Sequence, residues 1–316
     1  MTSFVVVPQW QGSGSSRAMQ LVDGAQAIRG DLPSAATTVV DVPIEAGESL
    51  GTGIRRLSTL TMTAERQRIA LGQVDGPVIT IGGDCGVEFA SVQHAIARTA
   101  PESTLALVWF DAHGDLNTPA GSRTGAFSGM VARALLGDGE EPLVASPAVD
   151  PSRFVLVGAR DLDDAEVAYL AETPLPVVDA DTVTPAEVVA AVESTGATHV
   201  YIHVDLDVLD PSDLTAVSSG VPFGVPLARL VETVTALKQR FGFAGAGVTG
   251  FAPSSAAAAS DDLGTILRII GALSREPKPV EQQPAEQPSP EQQPAERQPT
   301  DQNASNTDTK NHSEES

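Results

Sequence analysis

Cysteine occurs once, at position 85, so no disulfide can close within the chain and a reducing compartment is its natural setting. Basic residues are scarce: 19 Lys and Arg stand against 41 Asp and Glu, a formal net charge of −22. Such a chain repels a nucleic-acid backbone or an anionic membrane surface, which excludes both as its main partner. No stretch approaches the ~18 consecutive apolar residues of a membrane span. The opening SFVVVPQW has neither the basic flank nor the length of a secretory leader, and a soluble, cytoplasmic protein is expected. From about residue 276 the chain also runs out of large apolar side chains, with none after Val280. That segment, rich in Pro, Gln and Glu with a near-repeated EQQPAE, cannot bury enough surface to offset its ordering entropy. A disordered acidic tail over 276–316 is therefore expected, leaving 1–275 for one folded domain.

What is present is an alternation. Short β-branched runs at 4–7, 38–42, 78–81, 105–110, 154–157, 177–178, 199–204 and 244–248 read as eight strands. Between them lie segments of helical periodicity, among them 54–71, 87–98, 185–193 and 227–241, with 263–273 closing the series. Their lengths suit crossover helices joining parallel strands, so the fold class is α/β, a single three-layer domain with a parallel sheet between helices. In such a sheet ligands bind at the carboxyl ends of the strands. Four of these ends carry polar clusters: GGDC after 81, DAHGDLN after 110, ARDLD after 157 and DLDVLDP after 204.

Two of these clusters carry the chemistry. Asp111, His113 and Asp115 alternate just past an apolar strand, and extended geometry points them the same way. Asp205 and Asp207 repeat the spacing on a second strand, and Cys85 makes six potential ligands. Four aspartates crowded into one pocket raise each other's pKa unless cations sit among them. Hard carboxylates with one imidazole suit Mn²⁺ or Mg²⁺ better than a structural zinc. Bridging carboxylates would hold two ions roughly 3.5–4 Å apart and generate a hydroxide nucleophile near neutral pH. Taken singly, a DxD at a strand end also reads as a cap or solvated turn, His113 as a core histidine, and Asp210-Pro211 as a turn.

With GGDC at 82–85, DAHGDLN at 111–117, GARDLD at 158–163 and HVDLDVLDPS at 203–212, the chain resembles the arginase/agmatinase/formimidoylglutamase family of ureohydrolases. The resemblance implies an α/β domain with an eight-stranded parallel sheet and two Mn²⁺ ions. One ion would be held by Cys85, Asp111, Asp115 and Asp205, the other by Asp111, His113, Asp205 and Asp207, with Asp111 and Asp205 bridging. It further implies hydrolysis of a guanidino or formimino C–N bond in a small amino-acid or amine substrate. A metal-bridging hydroxide would attack the carbon, and Asp115 would pass a proton to the departing amine. Asn117, Thr124 and Asp163 fall where the family grips the α-carboxylate and α-amino ends of its substrate, which favours an amino-acid-like ligand. Trimers or hexamers are the assemblies the family implies.

Four positions depart from the family pattern. Cys85 stands where the family has a metal-binding histidine, and a thiolate is a soft partner for manganese. Ser128 stands where it has a proton-shuttling histidine and cannot titrate near neutral pH. The guanidinium-binding glutamate maps one residue out of register, near Val231 or Glu232, and Gly250 replaces a glutamate. Two other readings accompany the hydrolase: a catalytically impaired member that binds metal and ligand, and an amidohydrolase with Cys85 as nucleophile and His113 as its base.

Overall fold

Strands buried on both faces are written as unbroken β-branched runs, and the computed structural model, which describes residues 2–276, builds its sheet from them. In chain order the first half comprises β1 (Ser3–Val7), α1 (Gln20–Gly30), β2 (Thr37–Val39), α2 (Leu57–Leu71), β3 (Val78–Gly82), α3 (Glu88–Arg98), β4 (Leu105–Phe110) and α4 (Val131–Leu135). The second half comprises β5 (Phe154–Val157), α5 (Asp164–Glu172), β6 (Val177–Val178), α6 (Pro185–Ser194), β7 (His199–Asp205), α7 (Leu227–Arg240), β8 (Gly242–Thr249) and α8 (Ala256–Ser274). All eight strands are parallel, in the order β2-β1-β3-β8-β7-β4-β5-β6. This is the α/β fold the alternation predicts.

Ile28 of α1, Val188 of α6, Leu230 of α7 and Ile269 of α8 pack with Val6, Ile81, Val108 and Val204 on one face of the sheet. Leu60 of α2, Val92 of α3 and Leu135 of α4 pack with Leu107, Trp109 and Leu156 on the other. Each such side chain contributes about 1.5–3 kcal/mol by burial, which pins the register. In that register Trp109 of β4, His203 of β7 and Gly247 of β8 lie in one row across the sheet. A slip by one residue would turn that row, and the carboxylates that follow it, to the opposite face.

Several boundaries differ from the sequence reading, three of them by three residues or more. β2 ends at Val39 instead of 42. α2 starts at Leu57 instead of 54, because Arg56 has φ 61°, a left-handed conformation that a helix does not accept; its guanidinium donates to the carbonyls of Gln11 and Ser13. α8 starts seven residues before the expected 263, capped by the Ser255 hydroxyl on the Ala258 N–H. Its first turn is four alanines and its second opens Ser-Asp-Asp, so neither shows the apolar period that marks a helix in sequence. The tail expected from 276 on lies, beyond Glu276, outside the described residues. Among the described residues no helix is long and apolar enough to cross a membrane.

β3 leads into the GGDC segment along a tight seam. The Gly83 N–H donates to the Val7 carbonyl at 3.0 Å, its carbonyl accepts from the Gly250 N–H at 2.9 Å, and the Asp84 N–H donates to the Gln9 carbonyl at 3.0 Å. A Cβ on residue 83 would lie 1.8 Å from the Gln9 carbonyl oxygen, so the seam closes only on glycine. Gly83→Ala is expected to cost about 3 kcal/mol, the upper part of the overpacking range, read as a lower urea midpoint.

Candidate metal centre

The four central strands β3, β8, β7 and β4 end side by side, and the sequence beyond each end turns inward. After β4, Asp111 accepts the His113 N–H on Oδ1 at 2.7 Å, and Asp115 takes φ 54°, which turns the chain back toward the sheet edge. At the end of β7, Asp205 Oδ1 accepts the Asp207 N–H at 2.9 Å, starting a 3-10 turn over 206–208. That turn brings Asp207 Oδ1 to the Ala112 N–H at 3.1 Å. After β3, Asp84 accepts from Gln9 Nε2 and the N–H groups of Gly12 and Gly86, each at 2.9 Å, and so fixes the turn that presents Cys85.

The six expected ligands are brought together. Cys85 Sγ donates to Asp205 Oδ2 at 2.8 Å. His113 Nδ1 lies 3.1 Å from Asp207 Oδ2 and 3.3 Å from Asp111 Oδ1. Donor atoms of Cys85, Asp111, Asp115 and His203 all lie within 4.8 Å of one another, as do those of Asp111, His113 and Asp207, so Asp111 belongs to both groups. All line a cavity of about 700 Å³ except His203, which lies beneath its floor. Oδ2 of Asp111 and Oδ2 of Asp115 are buried with no hydrogen-bond partner. An unsatisfied buried acceptor costs about 1–3 kcal/mol, so this donor set fits divalent cations, which would satisfy those oxygens together.

The titration behaviour says the same. Burial, and then the neighbouring Asp111 charge, holds Asp115 well above the ordinary carboxylate range. Burial followed by Asp205 and Asp111 does the same to Asp207. The Cys85 thiol is pushed well up by burial and by Asp205, Asp115 and Asp111. Burial works against charge on Asp111 and His113 too, but their mutual contact outweighs it, lowering the one and raising the other. Without cations the centre thus holds protons in their place.

The substrate-side residues divide. Asn117 Nδ2 donates to Asp163 Oδ2 at 2.8 Å, and both line the cavity with Thr124. Asp163 caps α5 in a capping box with Glu166, whose Oε1 also accepts the Leu116 N–H. Ser128 lines the same cavity. Glu232 is not brought there: it sits exposed on α7, on the face opposite the buried Leu230, Val234 and Leu237. Gly250 has φ 87°, and a Cβ there would lie 2.3 Å from Asp205 Oδ1, so the bare backbone makes room for that carboxylate.

Four residues go beyond the sequence reading. Asp84 anchors the Cys85 turn, and Arg160 donates to six carbonyls, Gly158, Asp207, Val208, Leu209, Val221 and Pro222, holding the loop after β7. Glu88 and His203 form a buried layer below the ligands. Tyr201 donates its hydroxyl to Glu88 Oε2 at 2.7 Å, and that oxygen lies 3.7 Å from His203 Nδ1. Burial alone would lower the His203 pKa, but the Asp111 and Glu88 carboxylates raise it to about 9. The signal for His203 is in the sequence: it extends the alternation of Asp205 and Asp207 by one step back along β7.

Residues 18–268 match the arginase family model. The chain belongs to the arginase family. Arginase from Bacillus subtilis is 32% identical over 157 residues, 46% of this chain, which spans about half (52%) of that relative's length. Arginase from Bacillus caldovelox is 31% identical over 202 residues, 58% of this chain and 67% of the relative. Among solved structures, Entamoeba histolytica arginase in complex with L-ornithine superposes with a TM-score of 0.76 at 20% identity, over 86% of this chain and 97% of that one. Formimidoylglutamase from Bacillus subtilis gives 0.65 at 17% identity, over 88% of each chain. At these identities the structural likeness is one of fold.

Proposed function

We propose that the protein is a metal-dependent hydrolase that cleaves a guanidino or formimino C–N bond in a small amino-acid-like or amine substrate. The observation that carries this reading is the convergence of Asp111, His113, Asp115, Asp205 and Asp207 from two adjacent strands on one cavity, with Oδ2 of Asp111 and of Asp115 buried and satisfied by no protein group. In the reaction a water oxygen bonds to the substrate carbon, the bond from carbon to the departing nitrogen breaks, and that nitrogen takes up a proton. Cys85, Asp111, His113, Asp115, Asp205 and Asp207 would hold divalent ions, Mn²⁺ by family likeness, and such ions would lower the pKa of the attacking water. Asp115, which lines the cavity beside Asp111, is the group placed to take a proton from the attacking water and pass it to the leaving amine. Asn117, Thr124 and Asp163 at the cavity wall supply donors and acceptors for the α-amino and α-carboxylate ends of the substrate.

Incubation with arginine, agmatine, guanidinobutyrate and formimidoylglutamate in the presence of Mn²⁺ tests the proposal. Urea or formamide is expected from one of them, abolished by chelation and restored by the ion. No product from any of the four would favour the impaired-member reading, for which Ser128 in the cavity and Glu232 outside it are the supporting observations. The Cys85 nucleophile finds no support of this kind. Its thiol is held protonated and donates to Asp205, while the nitrogens of His113 face Asp111, Asp207 and Asp161.

A further inference from the structure

We infer that His203 is itself a metal ligand of this centre, entering from β7 beneath the cavity to supply the imidazole that residue 85 does not; the inference rests on the metal-dependent reading above.

Its position is the first support. His203 is fully buried, and one of its ring nitrogens lies within 4.8 Å of donor atoms on Cys85, Asp111 and Asp115, with Nε2 3.8 Å from Asp111 Oδ2. Donors that share one ion at about 2.0–2.3 Å each stand up to roughly 4.5 Å apart, so the four atoms can surround a single cation. The second support is what the ring lacks. Neither nitrogen has a hydrogen-bond partner, and Oδ2 of Asp111 and Oδ2 of Asp115 are equally bare. A histidine kept only for packing is expected to satisfy its nitrogens, since each buried orphan costs about 1–3 kcal/mol. One cation beside Nε2 removes three orphans at once.

The other edge of the ring fits the same role. Nδ1 points to Glu88 Oε2 at 3.7 Å, and Tyr201 holds that oxygen at 2.7 Å. Metal-bound histidines commonly hand their second N–H to a carboxylate, which sets the tautomer and makes the ligating nitrogen more basic. The layer is built around this contact. A Cβ on Gly247, the neighbour of His203 across the sheet, would lie 1.8 Å from Glu88 Oε1, so glycine there admits the carboxylate. Trp109, the neighbour on the other side, stacks on the imidazole with ring centroids 3.7 Å apart and fixes its plane. An ion held by a thiolate, an imidazole and carboxylates has a softer shell than oxygen alone provides, which shifts preference from Mn²⁺ toward Co²⁺ or Zn²⁺ at this position.

Pulsed electron paramagnetic resonance on the Mn²⁺-loaded protein decides the matter, because it reads nitrogen bound to the ion independently of activity. In a His113→Asn background, ¹⁴N coupling of imidazole strength is expected to persist. It should vanish in the His113→Asn, His203→Gln double variant, and His203→Gln alone should weaken one of the two ions by about 10- to 100-fold. Metal-free melting curves show whether each variant folds; if His203→Gln does not, the His113→Asn spectrum settles the question alone. Bound Mn²⁺ without imidazole coupling in His113→Asn would overturn the assignment of His203 and leave the hydrolase reading intact. Wild-type protein that binds no Mn²⁺, Co²⁺ or Zn²⁺ would overturn the reading on which it rests.

Discussion

Asp111→Asn is expected to empty both ion positions and to lower kcat/KM by about 1,000-fold or more, on the order of 4 kcal/mol of transition-state stabilisation. Asp111 is the one residue that belongs to both groups of potential ligands, and its Oδ2 has no other partner. Asparagine keeps the shape and the Oδ1 contact with the His113 N–H at 2.7 Å, so the loop after β4 should hold its course. What it removes is the negative charge that two cations would share. Asp205→Asn should act alike, because Asp205 joins the Cys85 side to the Asp207 side through contacts of 2.8 Å and 2.9 Å. Asp207→Asn, confined to one group, should release one ion and keep the other. Elemental analysis after gel filtration counts ions per chain: none for Asp111→Asn and one for Asp207→Asn are the expected results. Two ions retained by Asp111→Asn would refute the shared position. Metal-free Asp111→Asn should melt below metal-free wild type, since it removes the anion that faces His113 and His203.

Sequence carried the fold because its central strands are buried on both sides. Runs such as VITIG and LALVWF are apolar whichever way they face, and eight of them spaced by helical periods leave one architecture. It carried the ligands at the ends of β4 and β7 because extended chain repeats every two residues, so DxHxD and DxD already imply one direction. It gave less where backbone path or a distant partner decides. Asp84 looks like an ordinary turn residue until the chain after β1 folds back to give it the Gly12 N–H, 72 residues away. Arg160 stands in the GARDLD segment, but spacing assigns it no role; that role depends on six carbonyls, its own Gly158 and five that the loop after β7 gathers. Glu232 failed for a related reason. The register of α7 against the sheet turns Leu230 and Val234 inward and leaves residue 232 in solvent, a choice that segment similarity alone does not fix. His203 was legible by its spacing, yet its meaning depends on Trp109, Gly247 and Glu88, which come from three other elements.

Raising the pH from 6 toward 9 is expected to tighten metal binding by about 100-fold or more per unit over part of that range, ten-fold for each proton displaced. In the metal-free protein Asp115, Asp207 and Cys85 hold protons, each chiefly because burial disfavours the charged form and then because neighbouring carboxylates repel a further negative charge. His113 and His203 hold protons for the opposite reason, with carboxylates outweighing the effect of burial. Every one of these groups must give up its proton to bind a cation. Stability of the metal-free fold should move the other way. A histidine whose folded pKa is raised contributes stability that is complete below its unfolded value near 6.5 and is lost as pH rises through the folded value, about 9 for His203. A buried carboxyl with a raised pKa likewise favours folding while protonated, and that contribution fades as pH climbs past the unfolded value near 4 toward the folded one. All five groups share one sign, so the metal-free melting temperature should fall between pH 6 and 9 while the stabilisation on adding Mn²⁺ grows. Thermal melting at fixed free metal, with and without chelator, reads both quantities. A gap between the two curves that stays constant across that range would mean that the carboxylates at the ends of β4 and β7 are already ionised, and that protons do not occupy the places meant for metal.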